Sequence, residues 1–254
     1  MLLVPLVTGA AVAARGSIDF VALGLFSVAS LALFWMRTPV EAWLGTSAIK
    51  AQTTEERRAV ARMAIRLAVV ATVAIGALFC RGLITWLLIV GAISALAFGL
   101  QALVKRTGRS GRMPAQIIGA IGLTSTAAGA YYVCSHGIGR VGLAVWLANW
   151  LFAANQVHFV QVRILGSRLN QTTDKLKQAG GFFAGQMILV AAVAGLTYFG
   201  WFPRFTLLAF VPVLMRGFRW FLGGAKPLDV HKLGFSELKH ALAFGTMLSI
   251  AFLV

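Results

Sequence analysis

The sequence predicts an all-α polytopic integral membrane protein of about nine transmembrane helices, and three observations predict it. The 254 residues are 59% hydrophobic and 12% charged, with mean hydropathy +0.84, whereas soluble domains carry about 25% charged residues. The apolar residues lie in runs of membrane-crossing length, since a hydrocarbon core about 30 Å thick takes roughly 20 helical residues. The charges lie in short clusters between those runs.

Taken in order, the runs cover approximately residues 17–36, 64–81, 82–104, 114–134, 140–162, 180–200, 202–222 and 238–254. An earlier run, Leu2 to Ala14, is closed by Arg15. It reaches only about 20 Å at 1.5 Å per residue, so it reads as a half-helix or as a first span begun before Met1. No positively charged n-region precedes it, so no cleavable signal is read there. The whole chain reads as one transmembrane domain, residues 1–254, with loops near 37–63, 105–113, 164–179 and 223–237.

The chain carries 23 Lys and Arg against seven Asp and Glu, a formal +16. In a soluble protein that balance would point to nucleic acid. The placement excludes it, because the cations follow membrane helices. Only Arg15, Arg81, Arg140 and Arg204 fall on odd-numbered connections; the other 19 fall on even-numbered connections and their helix ends. Lys and Arg accumulate on the cytoplasmic side, so the even loops are expected inside, with a cytoplasmic N-terminus. Thr53-Thr54-Glu55-Glu56 has the form of a capping box and should start a basic amphipathic helix leading into the third span. Asn170 to Asp174 reads as a second polar helix start.

Polar groups in apolar runs are costly and therefore candidate sites. At the end of the second span, Arg37 and Glu41 stand four apart around Pro39, with Thr38 between, the spacing of a helical ion pair. Lys105 and Arg106 close the fourth span. The sixth run carries Asn149, Asn155, Gln156, His158, Gln161 and Arg163. At about 100° per residue, Asn149, Gln156 and Arg163 share one face while Asn155 and His158 lie on the other. Two polar faces require a helix enclosed by others or bordering a cavity. The amides serve either as interhelical hydrogen bonds or as a ligand pocket. No histidine has metal-ligand spacing, Cys80 and Cys134 have no CxxC or Cys/His pattern, and no phosphate loop or nucleophile triad can be assembled. No catalytic residue is named, and no metal or cofactor is expected from the residues alone.

Met1 to Pro5, Arg37-Thr38-Pro39, Asn149 to Val160, Val162-Arg163-Ile164 and Leu233 to Glu237 together resemble the YwiC-like family of bacterial membrane proteins, over nearly the whole chain. Members usually have a Pro-Arg/Lys-Glu-His-Gly-Ala-Trp stretch ahead of the Met-Leu-Leu-Val-Pro segment, absent from this sequence. More distantly the chain is similar to the UbiA superfamily of intramembrane prenyltransferases, which implies a nine-helix barrel with cytoplasmic active-site loops. Lys105-Arg106-Thr107, with Pro114 to Gln116 and Gly119, resembles that superfamily's Lys-Arg loop. Its first Asp-rich motif falls on Arg37, Thr38, Glu41 and Gly45, and its second on Asn149, Phe152-Ala153 and Gln156. One carboxylate thus remains of the set that holds Mg²⁺ against a diphosphate, so Mg²⁺ is implied only if that chemistry is retained.

The resemblance implies a cavity for an isoprenoid or quinone-like amphiphile between the second and sixth spans, with Arg37, Lys105, Arg106 and Arg163 facing any anionic head. Membrane lipids are the other expected partners, and nucleic acid is not. Alternatives are a small-molecule transporter, which broken midplane helices would favour, and a non-catalytic membrane subunit using Gly119, Gly122 and Gly129 as contact surfaces.

Overall fold

The computed structural model describes residues 2–16, 18–43, 53–106, 108, 111–166, 172–223 and 228–254. Their helices are α1 (Leu3–Ala13), α2 (Phe20–Trp43), α3 (Thr54–Cys80), α4 (Thr85–Lys105), α5 (Arg112–Thr124), α6 (Thr126–Ser135), α7 (Gly139–Leu165), α8 (Thr172–Tyr198), α9 (Thr206–Leu222) and α10 (Val230–Leu253). Because α5 and α6 run end to end, there are nine helical segments among the described residues, as the sequence predicts.

Five of them, α2, α3, α4, the joined α5–α6 and α8, are long and apolar enough to cross a membrane. The pattern of exposure is that of a lipid-facing protein. Val69, Val73, Leu88, Leu96 and Ile188 are exposed while Asn149, Gln156 and Gln186 are almost completely buried. Water would favour the reverse, and hydrocarbon favours this arrangement.

Helix starts follow local chemistry. The Thr53 Oγ1 accepts from the Glu56 N–H at 3.1 Å and Glu56 Oε2 accepts from the Thr53 N–H at 3.3 Å, completing the expected capping box. Asp229 caps α10 by accepting the Lys232 N–H at 3.1 Å. This cap starts α10 well ahead of the apolar run at 238, so much of the expected loop 223–237 is helix. The same holds for 37–63, where α2 continues through Pro39 to Trp43. It holds again for 164–179, where α8 begins at Thr172 and bends at Ala179 (φ −119°, ψ 21°). Gly45, Lys50, Thr107, Arg109, Arg168, Asn170, Gln171 and Lys226 lie outside the described residues.

The joint at Ser125 has an identifiable cause. Thr124, Ser125 and Thr126 each turn a hydroxyl back onto a carbonyl, of Ala120, Gly122 and Leu123 respectively. Such back-bonding competes with the helix ladder and bends it.

The short α1 sits at the centre. Its Val12 joins an apolar cluster built by α6 to α10, and its Leu6, Ala10 and Ala13 join another that draws on α2, α3, α4, α6 and the start of α7. Gly9 permits the closest approach, because a Cβ there would stand 2.8 Å from the carbonyl carbon of Ala127 on α6.

The described helix ends beside the odd connections meet one another, and so do those beside the even ones. Asp19 and Arg81 pair across the first and third, and Arg140 donates to the Phe199 carbonyl across the fifth and seventh at 2.9 Å. Beside the even ones Glu41 meets Lys105, and Lys175 of α8 reaches the α9 terminus. The helix-end charge asymmetry is therefore spatial as well as sequential.

Lys175 is buried, over the Trp220 ring (5.1 Å), and donates to the carbonyls of Trp220 (2.9 Å) and Gly223. It caps the negative end of α9. Lys175→Met keeps the stem and removes the donor. It should lower stability by about 1 kcal/mol, read as a lower unfolding midpoint in detergent, and an unchanged midpoint would show that the cap contributes nothing.

Candidate functional site

Between α2, α4 and the jointed α5–α6 lies a cavity of about 400 Å³ with mostly apolar walls, including Phe26, Leu33, Phe34, Leu87, Val90 and Phe98. Several small residues make the room: Ala29 on α2, Gly91 and Ala95 on α4, and Gly119 and Gly122 on α5. Polar atoms enter the wall at the helix joint, where Ser94 and Ser125 hydroxyls lie 2.8 Å apart. Among its described lining residues Arg37 is the one charged side chain.

The Arg37 end is held by a three-membered ion cluster. Glu41 Oε1 accepts from Arg37 Nε at 2.9 Å and from Lys105 Nζ at 2.8 Å. The first bond is the i,i+4 pair expected from sequence. The second joins the ends of α2 and α4, a partnership across 64 residues that no local spacing reveals. All three side chains keep about a fifth to a quarter of their surface, so each bond is worth far less than a fully buried one. The cluster still carries a net positive charge. Arg37 gives its Nε to Glu41, and its two terminal nitrogens have no hydrogen-bond partner among the described residues. Its guanidinium also lies 6.0 Å from the Phe98 ring centroid.

The other predicted residues go elsewhere. Thr38 and Arg106 are exposed at the same end. On α7, Asn149 donates to Thr8 Oγ1 of α1 at 3.0 Å and to its own Val145 carbonyl. Gln156 donates to the Glu237 carbonyl of α10 at 3.1 Å. Asn155 is buried, with no partner for Oδ1 among the described residues. His158 packs edge-on against Phe182 of α8, and Arg163 is half-exposed near the end of α7. None of the five lines the cavity. The structure encloses α7, as its two polar faces require, but separates it from Arg37 and Lys105. This cavity lies between the second, fourth and fifth spans, and none of its described lining residues comes from the sixth. Gly119, Gly122 and Gly129 face Gln101, Ser94 and Phe26, so intramolecular packing occupies them.

A model of the YwiC-like protein family matches residues 1–132, just over half of the chain. The chain belongs to the YwiC-like family. No curated protein and no solved structure matches it. All the described cavity-lining residues, from Leu2 to Thr126, and the Arg37–Glu41–Lys105 cluster lie inside the family-matched segment.

This YwiC-like protein also holds a polar constellation that sequence reasoning missed. Arg216 of α9 and Glu237 of α10 form an ion pair, each side chain under 15% exposed. Arg216 lies 4.0 Å over the Phe159 ring of α7. Arg216 Nε and Nη2, Glu237 Oε2 and both amide atoms of the nearby Gln186 have no partner among the described residues. In sequence Arg216 stands inside the apolar run 202–222 and Glu237 at the edge of the expected loop 223–237, 21 residues away, so no local spacing pairs them. The usable signal is Glu237 two turns into a helix that Asp229 caps. Among the described residues no three His, Cys, Asp or Glu side chains gather as a metal-ion group.

Proposed function

We propose that this protein holds an isoprenoid- or quinone-like amphiphile, its apolar tail in the α2/α4/α5–α6 cavity and its polar or anionic head at Arg37. The observation that carries this reading is the mostly apolar cavity whose one charged side chain, among its described lining residues, is Arg37. Such pockets bind through apolar walls and orient the ligand with few polar groups. In this reading the basic end faces the cytoplasm of a bacterial inner membrane, following the Lys and Arg asymmetry. Lys105 supports the head site from behind Glu41, with Arg106 close by in sequence.

The distant likeness to the UbiA prenyltransferases fits lipid holding better than Mg²⁺-dependent transfer. Glu41 is the one carboxylate at the Asp-rich positions, and its Oε1 already accepts from two cations. The second set, Asn149 and Gln156, offers only neutral amide oxygens in place of carboxylates, its N–H groups donating to Thr8 and to the Glu237 carbonyl. These residues do not fit a hard divalent cation, and no transfer step is derived. The joint at Ser125 favours a second reading, a small-molecule transporter, because broken membrane helices often line substrate paths.

The test is native mass spectrometry with lipid analysis of protein purified in mild detergent. Gly91 lines the cavity and a Cβ there would meet nothing within 4 Å, so Gly91→Leu starts from open space and takes up cavity volume. Wild type should retain an isoprenoid species, Arg37→Ala and Gly91→Leu should lose most of it, and Asn149→Ala should keep it. Retention indifferent to both cavity variants, or no isoprenoid at all, would end this reading.

A further inference from the structure

We infer a second binding site, for an amphiphilic anion carrying a carboxylate or phosphate, at the end of the protein opposite the Arg37 cluster. A cavity of about 680 Å³ opens there between the end of α1, the α6–α7 turn, the α8–α9 turn and the end of α10. That volume is in the range of small-molecule sites, about 300–1,000 Å³. It shares no lining residue with the lipid cavity.

The charge distribution is the main argument. This end holds four of the 23 basic residues, and two of the four, Arg15 and Arg140, line this one cavity. No Asp or Glu is among its described lining residues. The remaining two behave differently: Arg81 is neutralised by Asp19, and Arg204 lies exposed outside the cavity. Cations are disfavoured on the side with few of them, so two of them on one concave surface, with no Asp or Glu side chain among its described lining residues, make a positively charged wall.

One of the two is also positioned. Arg140 donates through Nη2 to the Phe199 carbonyl at 2.9 Å and lies 5.2 Å from the Trp201 ring centroid. A guanidinium fixed by one acceptor and one ring face keeps its other N–H groups for a planar or tetrahedral anion. Arg15 has no hydrogen-bond or ion-pair partner among the described residues and supplies the second charge. His136, at φ 58°, ends α6 in the left-handed region and brings an imidazole to the wall. Tyr131, Trp201 and Phe202 supply apolar and aromatic surface for the ligand body.

The anion has two sources, an anionic lipid head or a soluble carboxylate or phosphate compound, and one experiment separates them. The full chain is reconstituted in nanodiscs of phosphatidylcholine alone or with added phosphatidylglycerol. Binding of naphthalene-2-carboxylate is titrated in the first, and lipid retention is read by native mass spectrometry in the second. The site predicts at least tenfold weaker binding of one of these probes in Arg15→Gln with Arg140→Lys, and no change in Arg204→Gln. Arg140→Lys keeps a charge and a donor, so folding is preserved, and unfolding midpoints check it. Loss confined to naphthalenecarboxylate assigns a soluble ligand, and loss confined to phosphatidylglycerol assigns a lipid head. Neither probe bound, or both bound equally by the double variant, would overturn the site.

Discussion

Arg216→Ala is expected to destabilise the protein by about 3–5 kcal/mol, the usual cost of leaving one member of a buried ion pair alone. The pair ties α9 to α10, and Gln156 of α7 donates to the carbonyl of the same Glu237. Removing the guanidinium would leave a carboxylate under 15% exposed with no cation beside it. It would also remove the cation from the face of Phe159. The double variant Arg216→Met, Glu237→Leu removes both charges together, and should recover most of the loss or exceed wild type, as apolar replacements of buried pairs often do. Denaturant titration in mixed micelles measures all three proteins. A single-variant loss below about 1 kcal/mol would show that water reaches Glu237, and the pair would then count as exposed.

The fold was legible because its determinants are local. Apolar run length predicts the helical segments, the Thr53–Glu56 pattern predicts a helix start, and the basic residues sort by connection. The site was less legible because its determinants are partnerships. Amides on the sixth span advertise polarity in an apolar run, yet polarity alone does not say whether the partner is a ligand or Thr8 of α1, 141 residues away. The bond from Lys105 to Glu41 is equally invisible in one dimension. The run Thr124-Ser125-Thr126 does carry a readable signal for a helix break, since three adjacent hydroxyls can each take a backbone carbonyl. Arg216 and Glu237 hide for the same reason: one stands inside the run 202–222 and the other at the edge of the expected loop 223–237, and no local spacing joins them.

The sign of one further substitution decides whether the central position of α1 is right. Gly9 lies in the middle of a helix, where Gly→Ala ordinarily stabilises by about 1 kcal/mol. A Cβ at Gly9, however, would stand 2.8 Å from the carbonyl carbon and 2.9 Å from the Cα of Ala127. Those atoms are backbone of α6 and cannot rotate away, so α1 and α6 must separate. Overpacking of this kind costs about 1–3 kcal/mol, occasionally more, and both apolar clusters that share α1 feel the shift. Gly9→Ala should therefore destabilise despite the better helix propensity, and Gly9→Leu should prevent stable folding. Gly76 on α3 is the matched control, because a Cβ there meets nothing within 4 Å, and Gly76→Ala should be neutral or stabilising. If Gly9→Ala instead raised the unfolding midpoint as Gly76→Ala does, α1 would not lie against α6. The α2/α4/α5–α6 cavity, whose wall includes Leu2 beside α1 and Ser125 and Thr126 at the start of α6, would then lose the support that shapes it.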